Sequence, residues 1–363
     1  DMIFTHRTLQ PDNIITGIAA IRDYEGNFSS IAIAQGTTMH IIDITTPEYS
    51  ITESYHFLTP ISVIESAKSD NRPVFVLLDN LNWYIFELPK IVRHGSLQKP
   101  CCTKCNHFIQ KTNQYSYHYS DDVLYQSSTL PPNAIQNIKF AESRVLHSSH
   151  PHYIAVQVYH NIIHVFPIDE QRPPYEIHTT EPNIVDIAFF GPFTCSTRLA
   201  VLSDSLMNDN RILSIYSLKD ESTHEFTIDD VINLPSDAYH LLPLHPELHS
   251  VINVLTNDGI MRITANEGLE ITIEHVTSYM PPIILHTCHF YDNIYLLCDS
   301  CGGLTGANFP IEGPISTENM KIVGPSSGIL VFDKKRFMVT SPFGNSVIYD
   351  FSLENNSYNL NPS

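Results

Sequence analysis

The sequence predicts an all-β chain, a seven-bladed β-propeller built of four-stranded antiparallel blades. Three observations predict it. Short runs rich in Ile, Val, Tyr and Phe alternate with polar turns along the chain, and such side chains suit a pleated, half-buried surface. The runs come in couplets, one apolar run turning tightly into the next, about seven times at a spacing of roughly 40 to 60 residues, which is the range of propeller blades. No stretch keeps a helical apolar period over three turns; the best candidate, 230–234, is too short.

The couplets follow in order. Residues 30–34 turn into 39–44, and 75–78 turn through Asp79–Asn82 into 83–88. Residues 153–159 turn through His160-Asn161 into 162–168, and 199–203 turn through Asn208-Asp209-Asn210 into 212–218. Residues 251–256 turn through Asn257-Asp258-Gly259 into 260–264, 294–299 turn at Cys301-Gly302-Gly303 into 304–309, and 337–341 turn into 347–351. Asn, Asp and Gly at these points favour hairpins. Prolines gather at run edges, as in Pro131-Pro132, Pro173-Pro174 and Pro281-Pro282, where they remove no ladder hydrogen bond. Seven blades of four strands leave about thirteen of the 363 residues for each strand and its turn. We therefore expect one propeller over 1–363, with an irregular insertion at 91–132, where the β pattern fails. The Trp-Asp signature of WD repeats is absent, since the chain has one Trp.

Charge narrows the function classes. The chain carries 20 Lys and Arg against 39 Asp and Glu, a net −19. Binding a phosphate backbone needs clustered cations, and Lys334-Lys335-Arg336 is the only basic triplet, read as a solvated turn. No direct nucleic-acid contact is expected; an acidic surface suits basic protein partners better. No run of about eighteen apolar residues suggests a membrane span. No secretory signal is visible, and Asp1 before Met2 leaves room for a longer protein. The seven cysteines, Cys101, Cys102, Cys105, Cys195, Cys288, Cys298 and Cys301, are odd in number and partly inside apolar runs, which suits reduced thiols in the cytosol or nucleus.

Motifs that could carry chemistry have simpler readings. Gly324-Pro325-Ser326-Ser327-Gly328 fits G-x-S-x-G, but a nucleophile elbow leads into a helix and here another β-like run, 329–332, follows. Cys102-x-x-Cys105 with His107 could pair with Cys298-x-x-Cys301 around zinc, but Cys298 ends an apolar run and Cys301 sits in a turn. The clusters His147/His150/His152 and His286/Cys288/His289 are unsurprising among 19 histidines. Asp121-Asp122 and Asp229-Asp230 are adjacent, so strand geometry points their carboxylates to opposite faces. We expect no catalytic residue, no cofactor and no bound metal.

Four stretches carry a resemblance: YIAVQVYHNIIHVFPID at 153–169, IVDIAFFGPFTCSTRLAVLSDSLMNDNRILSIYSL at 184–218, IYLLCDSCGGL at 294–304 and FMVTSPFGNSVIYDF at 337–351. Together they resemble the N-terminal propeller of the family that holds damaged-DNA-binding protein one, the large subunit of the cleavage and polyadenylation specificity factor, and a propeller subunit of the spliceosomal branch-site particle. The series of hairpins carries the likeness over most of the chain, though weakly between about 91 and 132. It implies a protein-docking scaffold, the first of several propellers, with the ending Asn359-Leu360-Asn361-Pro362 leading toward the next. By position, the implied partner-binding residues are Ser327, Val331, Pro342, Phe343 and Pro362; related adaptors carry an arginine where this chain has Pro342. The implied partners are substrate-receptor proteins and other subunits of a multiprotein complex, with a cullin held by a propeller outside this chain. The expected setting is a nuclear cullin-RING ubiquitin ligase, including a heterochromatin-associated paralogue. A scaffold of an RNA-processing complex is the alternative, since Phe343-Gly344-Asn345 resembles the splicing branch as well. A propeller enzyme with a metal in its channel is the third reading.

Overall fold

A computed structural model gives the fold. It describes residues 15–22, 28–46, 49–66, 73–97, 145–159, 161–168, 170–181, 183–191, 197–207, 209–218, 226–244, 250–265, 271–277, 283–291, 293–310, 313–324, 326, 328–332, 335–341, 346–354 and 357–362.

Among the described residues the chain is entirely strands and turns, arranged as seven four-stranded antiparallel sheets. Blade 1 holds β1 (Gly17–Arg22), β2 (Phe28–Gln35), β3 (Thr38–Asp43) and β4 (Ile51–His56). Blade 2 holds β5 (Ile61–Ser66), β6 (Val74–Leu78), β7 (Asn82–Glu87) and β8 (Lys90–Ser96). Blade 3 holds β9 (Leu146–Ser149), β10 (Tyr153–Tyr159), β11 (Ile162–Pro167) and β12 (Tyr175–His178). Blade 4 holds β13 (Ile184–Phe190), β14 (Arg198–Asp204), β15 (Arg211–Leu218) and β16 (Phe226–Leu234). Blade 5 holds β17 (His240–Leu244), β18 (Val251–Leu255), β19 (Ile260–Ala265) and β20 (Ile271–Thr277). Blade 6 holds β21 (Ile284–Tyr291), β22 (Ile294–Asp299), β23 (Gly303–Asn308) and β24 (Ser316–Ile322). Blade 7 holds β25 (Gly328–Val331), β26 (Arg336–Thr340), β27 (Val347–Glu354) and β28 (Ser357–Pro362).

The seven couplets read from sequence are the two central strands of each blade. The reason is burial: β6, β10, β11 and β18 are buried at every position, because a central strand is covered by a blade on each side. One sequence expectation needs correction. Residues 91–96, assigned to an irregular insertion, are strand β8, paired to β7 from Phe86↔Ile91 to Asn82↔Ser96. Residues 230–234, set aside as too short for a helix, close strand β16. The rest of the expected insertion, 98–132, lies outside the described residues, as do Cys101, Cys102, Cys105, His107 and Cys195.

The core is seven apolar layers, one between each pair of neighbouring blades. Between blades 2 and 3, Phe166 packs on Phe75 at 4.7 Å and edge-on to Trp83 at 5.1 Å between ring centres. Arg93 lies over Trp83 and donates to the carbonyls of Pro167 and Arg172. The Tyr159 hydroxyl donates to the Leu97 carbonyl across the same seam at 2.7 Å. The ring closes where β1 meets β25. No strand is exchanged there, since blades 1 and 7 are each built from consecutive strands. Closure rests on side chains: Ile15, Ile31, Ile33, Ile44, Phe332 and Met338 form the layer, and Arg336 donates to the Tyr49 hydroxyl at 3.3 Å.

Candidate docking face

In a blade of four consecutive antiparallel strands, each reversal switches faces. The turn between the second and third strands therefore lies on the same side of the ring as the link from the fourth strand to the next blade. The other two turns lie on the opposite side. Among the described residues this assigns 36–37, 57–60, 79–81, 97, 145, 161, 179–181, 183, 205–207, 209–210, 235–239, 256–259, 283, 300–302, 323–324, 326, 341 and 346 to one face.

Among the described connections, those on the first side carry Asp79, Glu181, Asp209, Asp237 and Asp258 and neither Lys nor Arg, and those on the opposite side carry Arg172, Lys335 and Glu170. Four large apolar side chains in described connections are strongly exposed: Leu58 (98%), Leu206 (67%), Met207 (89%) and Ile283 (52%). All four stand on the acidic face. Contiguous exposed apolar side chains framed by polar ones mark interaction surfaces, and of these four Leu206 and Met207 are adjacent.

At the circumference, beside Leu58, a cleft of about 510 Å³ opens between the outer strands of blades 1 and 2. Tyr55, Phe57, Tyr84 and Phe86 line it, with Phe57 5.4 Å from Tyr84 and Tyr55 5.0 Å from Phe86 between ring centres. Burial, reinforced by the hydrogen bond to Glu53 and its charge, holds the Tyr55 hydroxyl well above the ordinary phenol range.

The inner strands carry polar ties between blades. His147 meets Glu65 at 2.9 Å. Asp186 on β13 holds Nδ1 of His240 on β17 at 2.6 Å, and Nε2 of that ring lies 3.2 Å from the Thr287 hydroxyl on β21. The order carboxylate, imidazole, hydroxyl is that of a nucleophilic triad. Here the same Asp186 oxygen also accepts from the Leu241 amide at 2.8 Å, and its other oxygen accepts from Ile187 N–H at 2.9 Å. The arrangement links blades 4, 5 and 6 at the inner edge of the ring. Among the described residues no group of three or more His, Cys, Asp or Glu could hold a metal.

The remaining motifs resolve individually. Cys298 is fully buried between blades 6 and 7, and burial pushes its thiol up to about 11; Cys301 is exposed in the following turn. The His286 ring meets the Ser326 carbonyl at 3.1 Å, and His150 is buried against Tyr153 and Phe189. A strand, β25, follows Gly324-Pro325-Ser326-Ser327-Gly328, as the sequence suggested.

Of the expected partner-binding residues, Ser327, Pro342 and Phe343 lie outside the described residues. Pro362 ends β28 on the acidic face, paired with Tyr349. Val331 lies elsewhere. It sits at the far end of β25, 7% exposed, packed in the layer between blades 6 and 7. Leu206 and Met207 were missed as surface residues, although an apolar pair inside the turn SLMNDN is a readable anomaly.

No curated protein matches the chain. The family model for the RSE1/DDB1/CPSF1 first beta-propeller matches residues 122–362, which spans every strand of blades 3 to 7. The propellers of that family are scaffolds of multiprotein complexes and are generally non-catalytic. With more than half of its length matched, and seven four-stranded blades in sequence order, this chain belongs to the RSE1/DDB1/CPSF1 first-propeller family.

Proposed function

We propose that the chain is the scaffold propeller of a nuclear cullin-RING ubiquitin ligase adaptor that docks substrate receptors on its acidic face. The observation that carries this reading is that, among the described connections, the strongly exposed apolar side chains stand on one side of the ring together with Asp79, Glu181, Asp209, Asp237 and Asp258. In this reading Ser327, Pro342, Phe343 and Pro362 contribute to the contact area and Val331 supports them from within the blade. A cullin is held by a propeller outside this chain, and a heterochromatin-associated role falls within the same proposal. The net charge of −19 disfavours direct nucleic-acid contact.

The second reading is a scaffold for RNA processing, favoured by Phe343-Gly344-Asn345 and by the splicing and polyadenylation branches of the matched family. Affinity purification of the full-length protein from nuclear extract, with identification of what co-elutes in stoichiometric amounts, separates the two. A cullin and receptors support the ligase reading, whereas splicing or polyadenylation factors replace it with the second. Recovery with neither set overturns both.

A further inference from the structure

On blades 4 and 5 the acidic face is organised as one hydrogen-bonded surface. The β14–β15 turn is held at both ends: Ser205 N–H donates to the Asn210 carbonyl at 3.1 Å, and Met207 N–H to the Ser205 hydroxyl at 3.2 Å. Leu206 N–H donates to a Glu181 carboxylate oxygen at 2.8 Å, which ties the turn to the link entering the blade. Arg211 pairs with Asp204 and donates through Nε to the Ser236 carbonyl at 3.2 Å, reaching the link into blade 5. Asp237 then accepts from Asn257 N–H at 2.9 Å, joining the next turn. The backbone of Leu206 and Met207 is thus fixed while both side chains point into solvent, 67% and 89% exposed.

Such a pair is costly in water unless something covers it. Its frame says what covers it. Asp204 and Asp209 flank the pair in the turn, Glu181 holds the Leu206 amide, and Asp237 and Asp258 lie in the adjoining link and turn of blade 5; among the described residues of these segments Arg211 is the cation, engaged by Asp204. We propose that this surface receives a basic amphipathic segment of a partner protein, its apolar side chains on Leu206 and Met207 and its Lys or Arg side chains on these carboxylates. The proposal rests on the scaffold reading and names the chemistry of one of its docking points. An acidic partner is excluded by like charge, and a purely apolar one would leave the carboxylates dehydrated without partners.

The test uses the whole chain and a short amphipathic peptide of Leu and Lys as probe, with Leu/Glu and Ser/Lys peptides of the same pattern as controls. The expected result is binding of the Leu/Lys peptide alone. The L206S/M207S chain should lose roughly ten-fold in affinity, as expected when central apolar contacts are removed. The D209N/D258N chain should also bind more weakly and with a flatter salt dependence. Leu58→Ser, elsewhere on the face, should bind as the unaltered chain does. Equal binding of the Leu/Glu peptide, or unchanged binding by L206S/M207S at an unchanged melting temperature, overturns the proposal. In the purification described above, an L206S/M207S protein that keeps every partner removes this docking point and leaves the scaffold reading standing. An unaltered protein that recovers no partner removes both.

Discussion

Replacing Phe332 by Ala should unlock the ring at its closure. Phe332 is 1% exposed in the layer between blades 7 and 1, where side-chain packing and the Arg336–Tyr49 hydrogen bond, with no exchanged strand, join the ends of the fold. A buried phenylalanine covers about 200 Å², worth about 5 kcal/mol at 25 cal/mol per Å². The retained methyl and partial collapse of the cavity bring the expected loss to about 3–5 kcal/mol. An unfolding entropy of about 2.1 cal/mol/K per residue over 363 residues gives about 0.76 kcal/mol/K, so a 4 kcal/mol loss lowers the midpoint by about 5 °C. Circular dichroism melts of the purified chain, with Leu58→Ser as an exposed control, read this directly. Hydrogen exchange should show the first loss of protection in β1, β2, β25 and β26. A fall of under 1 °C, or an equal fall for Leu58→Ser, refutes closure by packing.

Other outcomes follow from the same geometry. In the native chain at pH 8, alkylation should label Cys301 and spare Cys298, whose thiol at about 11 is only about one part in a thousand thiolate at that pH; mass spectrometry of the alkylated peptides decides. Burial also raises the hydroxyls of Tyr216 and Tyr239, so these groups hold their protons more tightly folded than unfolded. Their contribution is complete well below the ordinary phenol value of 10.0 and is lost as pH rises past it, so melting temperature should fall as pH is raised above about 10, less steeply in Tyr239→Phe. At the inner edge of the ring, Asp186→Ala strips partners from His240, Leu241 and Ile187, whereas His240→Ala leaves the two amide bonds; denaturant titration should show the first costing more, by about 1–2 kcal/mol. Gly302→Ala should destabilise by more than Gly36→Ala. Both have positive φ, but a Cβ at Gly302 would meet the Gly324 backbone at 2.6 Å, while at Gly36 the space is open.

What the sequence made legible follows from burial. The central pairs, such as Tyr153–Tyr159 with Ile162–Pro167, are covered on both faces and stand out as apolar runs bounded by turn residues. The strands around them are harder to see. β4, ITESYH, is half-exposed or exposed throughout, and β9 and β12 have four residues each. Their pairing comes from neighbouring strands and leaves little period in their own residues. Of the expected partner-binding residues, Ser327, Pro342 and Phe343 lie outside the described residues and Pro362 ends β28; the burial of Val331 was not legible because it depends on packing between blades 6 and 7. Leu206 and Met207 show in the sequence only as an apolar pair in a turn; that Glu181, 25 residues earlier, holds the Leu206 amide is set by the fold.

The account claims above all that one face of this propeller is its docking surface. Hydrogen exchange of the full-length protein, alone and in its purified complex, tests that claim most directly. The account predicts new protection in 57–60, 205–210, 235–239 and 256–259, with 44–46, 170–174 and 313–315 unchanged. Protection confined to the second group, with the acidic face exchanging as freely as before, would contradict it.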